Sequence, residues 1–151
     1  IGTDGTASNN DPDMFGEMRT AALLAKGVTL DPQVMDAATA LSCATLGGAR
    51  AIGLESRIGS IEVGKRADLT AVDFGTLRLA PVYSPLSHLV YAASRHDVSD
   101  VWVDGHRRVR ERTLVGVDTD RLMANAARWS ALARAAATAN QRSVRPGGGN
   151  W

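Results

Sequence analysis

The sequence predicts a mixed α/β protein whose β-layer is incomplete. Apolar residues recur at helical spacing near both ends of the chain, and short strands bounded by turn residues fill its middle. The predicted strands are too few and too short to form a closed sheet. We therefore expect the remaining strands of this layer to come from chain outside the sequence.

The chain opens with a predicted strand end and a predicted helix. Residues 1–4 are expected to end a strand, and the polar, glycine-containing stretch after them is expected to form a loop. Asp11 is then a suitable helix cap, because Pro12 after it fits the first helical position. Apolar residues follow at helical spacing until Gly27, which is expected to end this helix.

Two further helices are predicted before the period of the apolar residues changes. A helix start occurs at residues 30–32, and an apolar face follows it. Segment 45–52 is rich in alanine and glycine, which allow close approach of backbones, and Gly53 can end its helix. Residues 1–53 thus form the first predicted part of the chain.

The middle of the chain, residues 54–116, predicts strands. The stretches that favour strands are residues 67–74, 98–103 and 107–115. Asp104-Gly105 between the last two is a strong signal for a tight hairpin turn. Residues 86–93 predict a short helix, because Ser84-Pro85 provides a start signal before them.

A long helix and a tail are predicted to close the chain. The helix covers residues 118–140, within a part that we place at 117–141, and its apolar stripe is expected to be core: Leu122, Ala126, Trp129, Ala133 and Ala136. Residues 142–151 contain three consecutive glycines and little to bury, so they predict a disordered tail with Trp151 exposed.

The bulk composition limits the class of protein. With 151 residues, of which 44% are hydrophobic, the chain can form one modest domain. A net charge of +1 does not favour nucleic acid or a membrane surface as a partner, and no apolar stretch approaches the roughly 18 residues of a membrane span. The single cysteine, Cys43, excludes an internal disulfide and fits the cytoplasm, although a bacterial periplasm stays open.

The opening segment IGTDGTASNN carries the best candidate for chemistry. A strand that delivers Asp4 into a polar loop would present its carboxylate at a sheet edge, where it could bind a divalent metal or accept a proton. On spacing alone, an Asp before Gly is more often a turn residue. Ser8, Asn9 and Asn10 could contact a substrate, but we favour a role in holding the loop, since such side chains cap turns.

Other polar residues favour structural roles. His88, His96 and His106 lack the spacing of metal ligands, and Cys43 fits a packed helix. The segment GSIEVGKRADL lacks the spacing of a phosphate loop. The basic residues within 106–112 alternate with apolar and acidic ones, which indicates a solvated hairpin face and not a nucleic-acid patch.

Three segments, in order, resemble the amidohydrolase superfamily. GTDGTASNNDPDMFGEMRTAALLAKG resembles the stretch after the eighth barrel strand in the branch of methylthioadenosine and adenosylhomocysteine deaminases and triazine chlorohydrolases. ATLGGARAIGLESRIGSIEVGKRADLTAVDF resembles the family's linker into a small β-domain, and PLSHLVYAASRHDVSDVWVDGHRRV resembles the later part of that domain. The resemblance implies the C-terminal end of a (β/α)₈ TIM barrel plus part of a composite β-sandwich.

The same resemblance implies a site and a reaction. Asp4 would be the aspartate that closes a mononuclear metal site, binding zinc or iron and acting as general base toward the hydrolytic water. The implied reaction is hydrolytic deamination of an aminopurine nucleoside or a related small heterocycle, with chlorohydrolysis of an s-triazine as the alternative. The family's histidines and glutamate would lie upstream of Ile1, so we expect this chain alone to be inactive.

Two other organisations stay open. The chain could be a non-catalytic, β-rich interaction domain in which Asp4 is only a turn residue. It could also pair with a separate N-terminal chain that supplies the rest of the active site. The resemblance further leads us to expect a homo-oligomer.

Overall fold

The computed structural model of the protein describes residues 1–143. They fall into two compact units, of which the first is Ile1–Val115 and the second begins at Gly116. The expected disordered tail lies outside the described residues from position 144 onward, and so does Trp151.

Residues 1–4 have no strand partner within residues 1–143 and form no strand there, so the predicted strand end stays a prediction. A strand exists only where a neighbouring strand takes up its backbone hydrogen bonds, and the strands described within residues 1–143 pair only with one another. The ammonium group of Ile1 instead donates to the carbonyl oxygen of Cys43 at 3.1 Å.

The first helix, α1 (Met14–Thr29), starts and ends two residues later than the sequence predicts. Its cap is Asp13, whose Oδ1 accepts the Phe15 N–H at 3.0 Å, and not Asp11. The helix continues through Gly27 and ends where Leu30 takes a left-handed conformation with φ 56°. A helical glycine costs only about 1 kcal/mol, so it does not by itself stop a helix.

The second helix, α2 (Ala37–Ala44), begins well after the predicted start at residues 30–32. Asp31 accepts the Gln33 N–H at 2.8 Å and so closes a turn, whereas Asp36 caps the helix by accepting the Thr39 N–H at 2.8 Å. The third helix, α3 (Leu46–Ala51), agrees with its prediction.

Four antiparallel strands form one sheet in the order in which they occur along the chain. They are β1 (Leu69–Val72), β2 (Val98–Val103), β3 (His106–Arg110) and β4 (Thr113–Leu114). Asp104 and Gly105 have φ of 52° and 75°, the conformation of the hairpin turn that the sequence predicts. The predicted strand 107–115 is divided, because Glu111 and Arg112 also take positive φ and turn the chain.

The core of the first unit lies where α1 and α2 meet the short helix α4 (Pro85–Tyr91). Ala22, Ala40 and Val90 are fully buried there, one from each helix. These side chains are small, so the helices approach closely but share little apolar area.

Asp97 is a buried charged residue that the sequence analysis did not single out. It is 4% exposed and lies in a short 3₁₀ helix, η1 (Arg95–Asp97). Burial alone would raise the pKa of its carboxyl group, but hydrogen bonds from the Arg78 guanidinium and from the Ser94 N–H and hydroxyl outweigh this and lower the pKa. Asp97 is therefore held as a carboxylate that joins η1 to the segment before α4.

The second unit contains the last helix, α5 (Thr119–Ser143), close to the predicted boundaries. Two residues of its apolar stripe are exposed, Leu122 at 51% and Trp129 at 64%, so the predicted packing of this stripe stays a prediction. Within residues 1–143, no helix combines the length and the apolar composition that a membrane span requires.

Gly59 and Gly64 offer a matched test of packing. Both have φ near 90°, but a Cβ on Gly59 would lie 2.8 Å from the Ala49 Cβ and 2.9 Å from the Leu46 Cα, whereas one on Gly64 would meet nothing within 4 Å. We expect Gly64→Ala to lower the free energy of unfolding by about 1 kcal/mol through backbone strain. Gly59→Ala should cost about 2 kcal/mol more from overpacking. Urea unfolding measures the free energy of unfolding of both variants. Equal losses of this free energy would contradict the clash at Gly59.

Asp97→Asn tests the buried carboxylate. We expect the variant to lose about 2 kcal/mol of stability at neutral pH, because it weakens charged hydrogen bonds. The folded-state pKa of Asp97 is lowered, so its stabilisation is complete above the unfolded-state pKa, about 3.9, and is lost as the pH falls through the folded-state value. Urea unfolding of both proteins at a series of pH values should show the gap closing below about pH 4. A gap that widens in acid would contradict this assignment.

Candidate functional site

Asp4 lies exposed at the start of the loop that precedes α1. Its φ is 58°, a left-handed conformation that aspartate tolerates better than most residues. The Gly5 N–H donates to its Oδ1 at 2.6 Å. This hydrogen bond, followed by one from the Ser8 side chain, lowers the pKa of the Asp4 carboxyl group. Asp4 therefore presents an ionised carboxylate to its surroundings at neutral pH.

The loop after Asp4 is a compact turn closed on one carbonyl group. Gly5 O accepts the Ser8 N–H at 3.0 Å and the Asn9 N–H at 2.9 Å, and the Ser8 hydroxyl donates to it at 3.2 Å. The turn holds Ser8 close to Asp4, with its side chain exposed.

Asn9 fixes this loop to α1. Its Nδ2 donates to Thr3 O at 2.7 Å and to the Glu17 Oε1 at 3.0 Å, while its Oδ1 accepts the Asp11 N–H at 2.9 Å. Both amide hydrogens are in use, so a substrate contact through Nδ2 would require breaking one of these bonds. The geometry therefore favours holding the loop over the alternative of substrate binding for Asn9.

Asp4 has no metal-binding companions within residues 1–143, where no group of three or more His, Cys, Asp or Glu residues could hold an ion. An exposed carboxylate suits zinc as a donor, but protein zinc sites use three or four protein ligands. Asp4 could therefore fill at most one ligand position of such a site.

Two histidines make local contacts that support structural roles for them. His88 packs edge-on against Phe74, with ring centroids 6.2 Å apart, and its Nδ1 lies 3.1 Å from Ser84 O. His106 Nδ1 lies 3.0 Å from Asp104 O. His96 lines a shallow cavity of about 260 Å³ together with Arg95 and Arg112.

Two arginines of the basic hairpin pair closely with acidic side chains. Arg107 binds Asp100 through Nη2 at 2.5 Å and stacks on Trp102, 5.4 Å from the ring centre. Arg112 binds Asp73 at 2.8 Å. These pairs fit the predicted solvated face better than a patch that attracts phosphate.

Sequence reasoning missed the residues that hold the loop from outside. Glu17 and Arg19 lie on α1, and Arg95 binds Asp11 within the segment that leads into the helix. The sequence shows that Glu17 is an acidic residue near the start of α1, but it does not show that Asn9 is its hydrogen-bond partner. The contacts of Arg19 and Arg95 join residues more than 70 positions apart, which no local pattern reveals.

Comparison with known proteins gives consistent matches. The model of the amidohydrolase family matches residues 1–108. A 5-methylthioadenosine/S-adenosylhomocysteine deaminase of Teredinibacter turnerae is 49% identical over 129 residues, which cover 85% of this chain and 29% of the relative. The enzyme of the same name from Syntrophobacter fumaroxidans is 51% identical over 82% of this chain and 28% of its own length.

Solved structures agree with these relatives. An adenosine deaminase from Xanthomonas campestris with bound zinc has a TM-score of 0.87 and 56% identity, over 89% of this chain and 31% of that one. An atrazine chlorohydrolase from Arthrobacter aurescens, complexed with zinc, has a TM-score of 0.73 and 28% identity, over 80% and 27%. This chain therefore spans less than a third of the length of the proteins it matches.

Asn9→Ala and Ser8→Ala test whether the loop is held mainly by the Asn9 side chain or by the Ser8 hydroxyl. Asn9→Ala removes three hydrogen bonds, so we expect a loss of about 2 kcal/mol and faster proteolytic cleavage between residues 3 and 11. Ser8→Ala removes the weaker hydroxyl contact and should cost less than about 1 kcal/mol. Thermal unfolding and limited proteolysis check both variants. Equal behaviour would show that Asn9 does not hold the loop.

Proposed function

Because the chain belongs to the amidohydrolase family, we propose that it is the C-terminal part of a metal-dependent hydrolase that deaminates an aminopurine nucleoside or a related heterocycle. The observation that carries this proposal is Asp4, an exposed, ionised carboxylate on a loop that Asn9 ties to α1, within the stretch that the amidohydrolase family model matches. The sequence similarity continues through most of the chain and so supports the same reading beyond the loop.

The proposed active site takes one ligand from this chain. Asp4 would help to hold one divalent ion, which we propose to be zinc because two similar solved structures contain zinc. The ion, when bound, would supply Lewis acidity and an activated water near neutral pH.

Asp4 would also move a proton during the reaction. Its Oδ1 is held by the Gly5 N–H, which leaves Oδ2 to accept a proton from the attacking water. The water oxygen would bond to the ring carbon that bears the amino group, and the electron pair of the ring C=N double bond would move to the ring nitrogen. Asp4 would then return the proton to the amino nitrogen. The ring C=N bond would re-form as the bond to the amino nitrogen breaks and ammonia leaves. The exposed hydroxyl of Ser8 could reach a substrate if it gave up its long hydrogen bond to Gly5 O.

The rest of the proposed protein lies outside this sequence. We propose that residues 1–53 provide the last strand and helix of a (β/α)₈ barrel together with linker helices, and that residues 54–116 provide one share of a composite β-sandwich. Residues 117–141 would be its closing helix. The exposed side chains of Leu24, Val28 and Leu30 support a missing partner segment. A cytoplasmic location and self-association remain predictions.

A second candidate is hydrolysis of a chlorinated or amino-substituted triazine. The fold similarity to an atrazine chlorohydrolase supports it. The identity to that enzyme is well below the identity to the adenosine deaminase, so we prefer deamination. The residues that would select the ring belong to the part of the pocket outside this chain.

Asp4→Asn in the intact protein tests the role of the carboxylate. We expect ammonia release from an adenosine-type substrate to fall at least about 10³-fold, because the variant cannot accept the proton. It should also retain less zinc, while its thermal unfolding stays close to wild type because Asp4 is exposed. Asp31→Asn, which changes another exposed carboxylate, is the matched control. Full turnover in Asp4→Asn would refute the assignment.

Metal removal gives an independent test of the metal and the substrate class. Treatment of the wild-type protein with a chelator should abolish ammonia release, and added zinc should restore it. Asp4→Asn should show little restoration under the same conditions. Release of chloride from a chlorotriazine in place of ammonia from a nucleoside would favour the second candidate. Undiminished turnover after complete loss of metal would contradict both.

A further inference from the structure

Resting on the function proposed above, we propose that Arg19 is a positioning residue, which fixes α1, and through it the loop that carries Asp4, against the C-terminal end of α4. Arg19 is not near the reacting atoms in this scheme. Two sets of hydrogen bonds connect it to Asp4: the first joins α1 to α4, and the second joins α1 to the loop.

The first set joins α1 to α4. Arg19 Nε donates to Val90 O at 3.3 Å, and its Nη2 donates to Ala93 O at 2.6 Å. The last carbonyl groups of a helix lack partners within the helix, and the C-terminal end carries partial negative charge. Val90 O is one of these carbonyls, and Ala93 O lies two residues beyond the last residue of α4. The planar guanidinium binds both oxygens at once, which an ammonium group does less well.

The second set joins α1 to the loop. Glu17 lies two positions before Arg19, and its Oε1 accepts the Asn9 side chain, which also donates to Thr3 O. Thr3 directly precedes Asp4, so this bridge ties the backbone that delivers Asp4 to the first turns of α1. An ion pair between Asp11 and Arg95 ties the far end of the loop to η1, just after α4.

Directional contacts are needed here because the apolar contact is weak. The helices meet through the small buried side chains of Ala22, Ala40 and Val90. Apolar contact is non-directional, so a patch of this kind permits sliding. Arg19 adds the fixed geometry that sets the position of α1 along α4.

Arg78 provides a matched control, because its hydrogen bonds go to the same end of α4 and to Ser94 and Asp97, and not to α1. Its Nη1 donates to Ala92 O at 2.9 Å, and its Nη2 pairs with the buried Asp97. If Arg19 only stabilised α4, Arg78 would share that role and its variants would behave alike. If Arg19 positions Asp4, Arg78 does not share that role.

The experiment compares Arg19→Met, Arg19→Lys and Arg78→Lys in the full-length protein. For each, the zinc dissociation constant is measured by competition with a chelator, and kcat and KM are measured separately. We expect Arg19→Met to weaken zinc binding at least about tenfold, as loss of outer support around a metal ligand does. Its kcat should fall by a similar factor with little change in KM. Arg19→Lys keeps the charge, so its losses of zinc affinity and kcat should be smaller. This variant replaces Arg19→Met in the test if Arg19→Met fails to fold.

Arg78→Lys should lower the melting temperature but leave zinc affinity and kcat within about twofold of wild type. Glu17→Ala should weaken zinc binding as Arg19→Lys does, and the two losses should not add in the double variant, because both break one path. If the Arg19 variants lose only melting temperature, as Arg78→Lys does, the inference is overturned.

Hydrogen exchange keeps this test separate from the proposed function. The amides of Ser8 and Asn9 bond to Gly5 O, so they are protected while the turn is held. In the metal-free protein, Arg19→Met should speed their exchange and Arg78→Lys should not. If the wild type binds no zinc and releases no ammonia, the proposed function fails, and the role of Arg19 toward Asp4 fails with it. If the wild type is active but exchange and zinc affinity are unchanged in the Arg19 variants, only the present inference fails.

Discussion

The first unit depends on one constraint: the carbonyl groups at the C-terminal end of α4 need hydrogen-bond donors. Two arginines meet there from distant parts of the chain, Arg19 from α1 and Arg78 from the segment before α4. Unpaired carbonyl groups in a partly buried place would each cost stability. Because Arg78 also binds the buried carboxylate of Asp97, the same end of α4 organises η1 and the start of β2.

This arrangement compensates for a core made of small side chains. The fully buried residues include several alanines, and Leu79 and Val90 are the largest of them in the described part of the chain. Such residues let helices approach closely but contribute little apolar area per contact. Apolar contacts bring these helices together but do not fix their orientation. The charged hydrogen bonds from arginines to backbone carbonyls fix it.

The structure fixes the proposed metal ligand Asp4 locally, although the described residues contain no complete metal site. The Gly5 N–H keeps the carboxylate ionised and oriented, and Asn9 ties its backbone to α1. The position of that carboxylate is therefore set within this chain, whereas the ion that it would help to bind needs further ligands. The chain belongs to the amidohydrolase family and spans less than a third of the length of these relatives, which fits the proposal that the remaining ligands lie outside it.

Local chemistry determined what the sequence could predict: the hairpin turn at Asp104-Gly105, the boundaries of α3 and β2, and the polar loop after Asp4 all depend on residues close in the chain. The three resembling segments also identified the family before any coordinates. Tertiary structure alone decided that Asp36 and not the earlier start signal begins α2, and that Asp97 is buried. The physical reason is that pairing and burial depend on partners far away in sequence. Arg19 and its acceptor Val90 lie 71 positions apart, so only the folded chain shows that they meet.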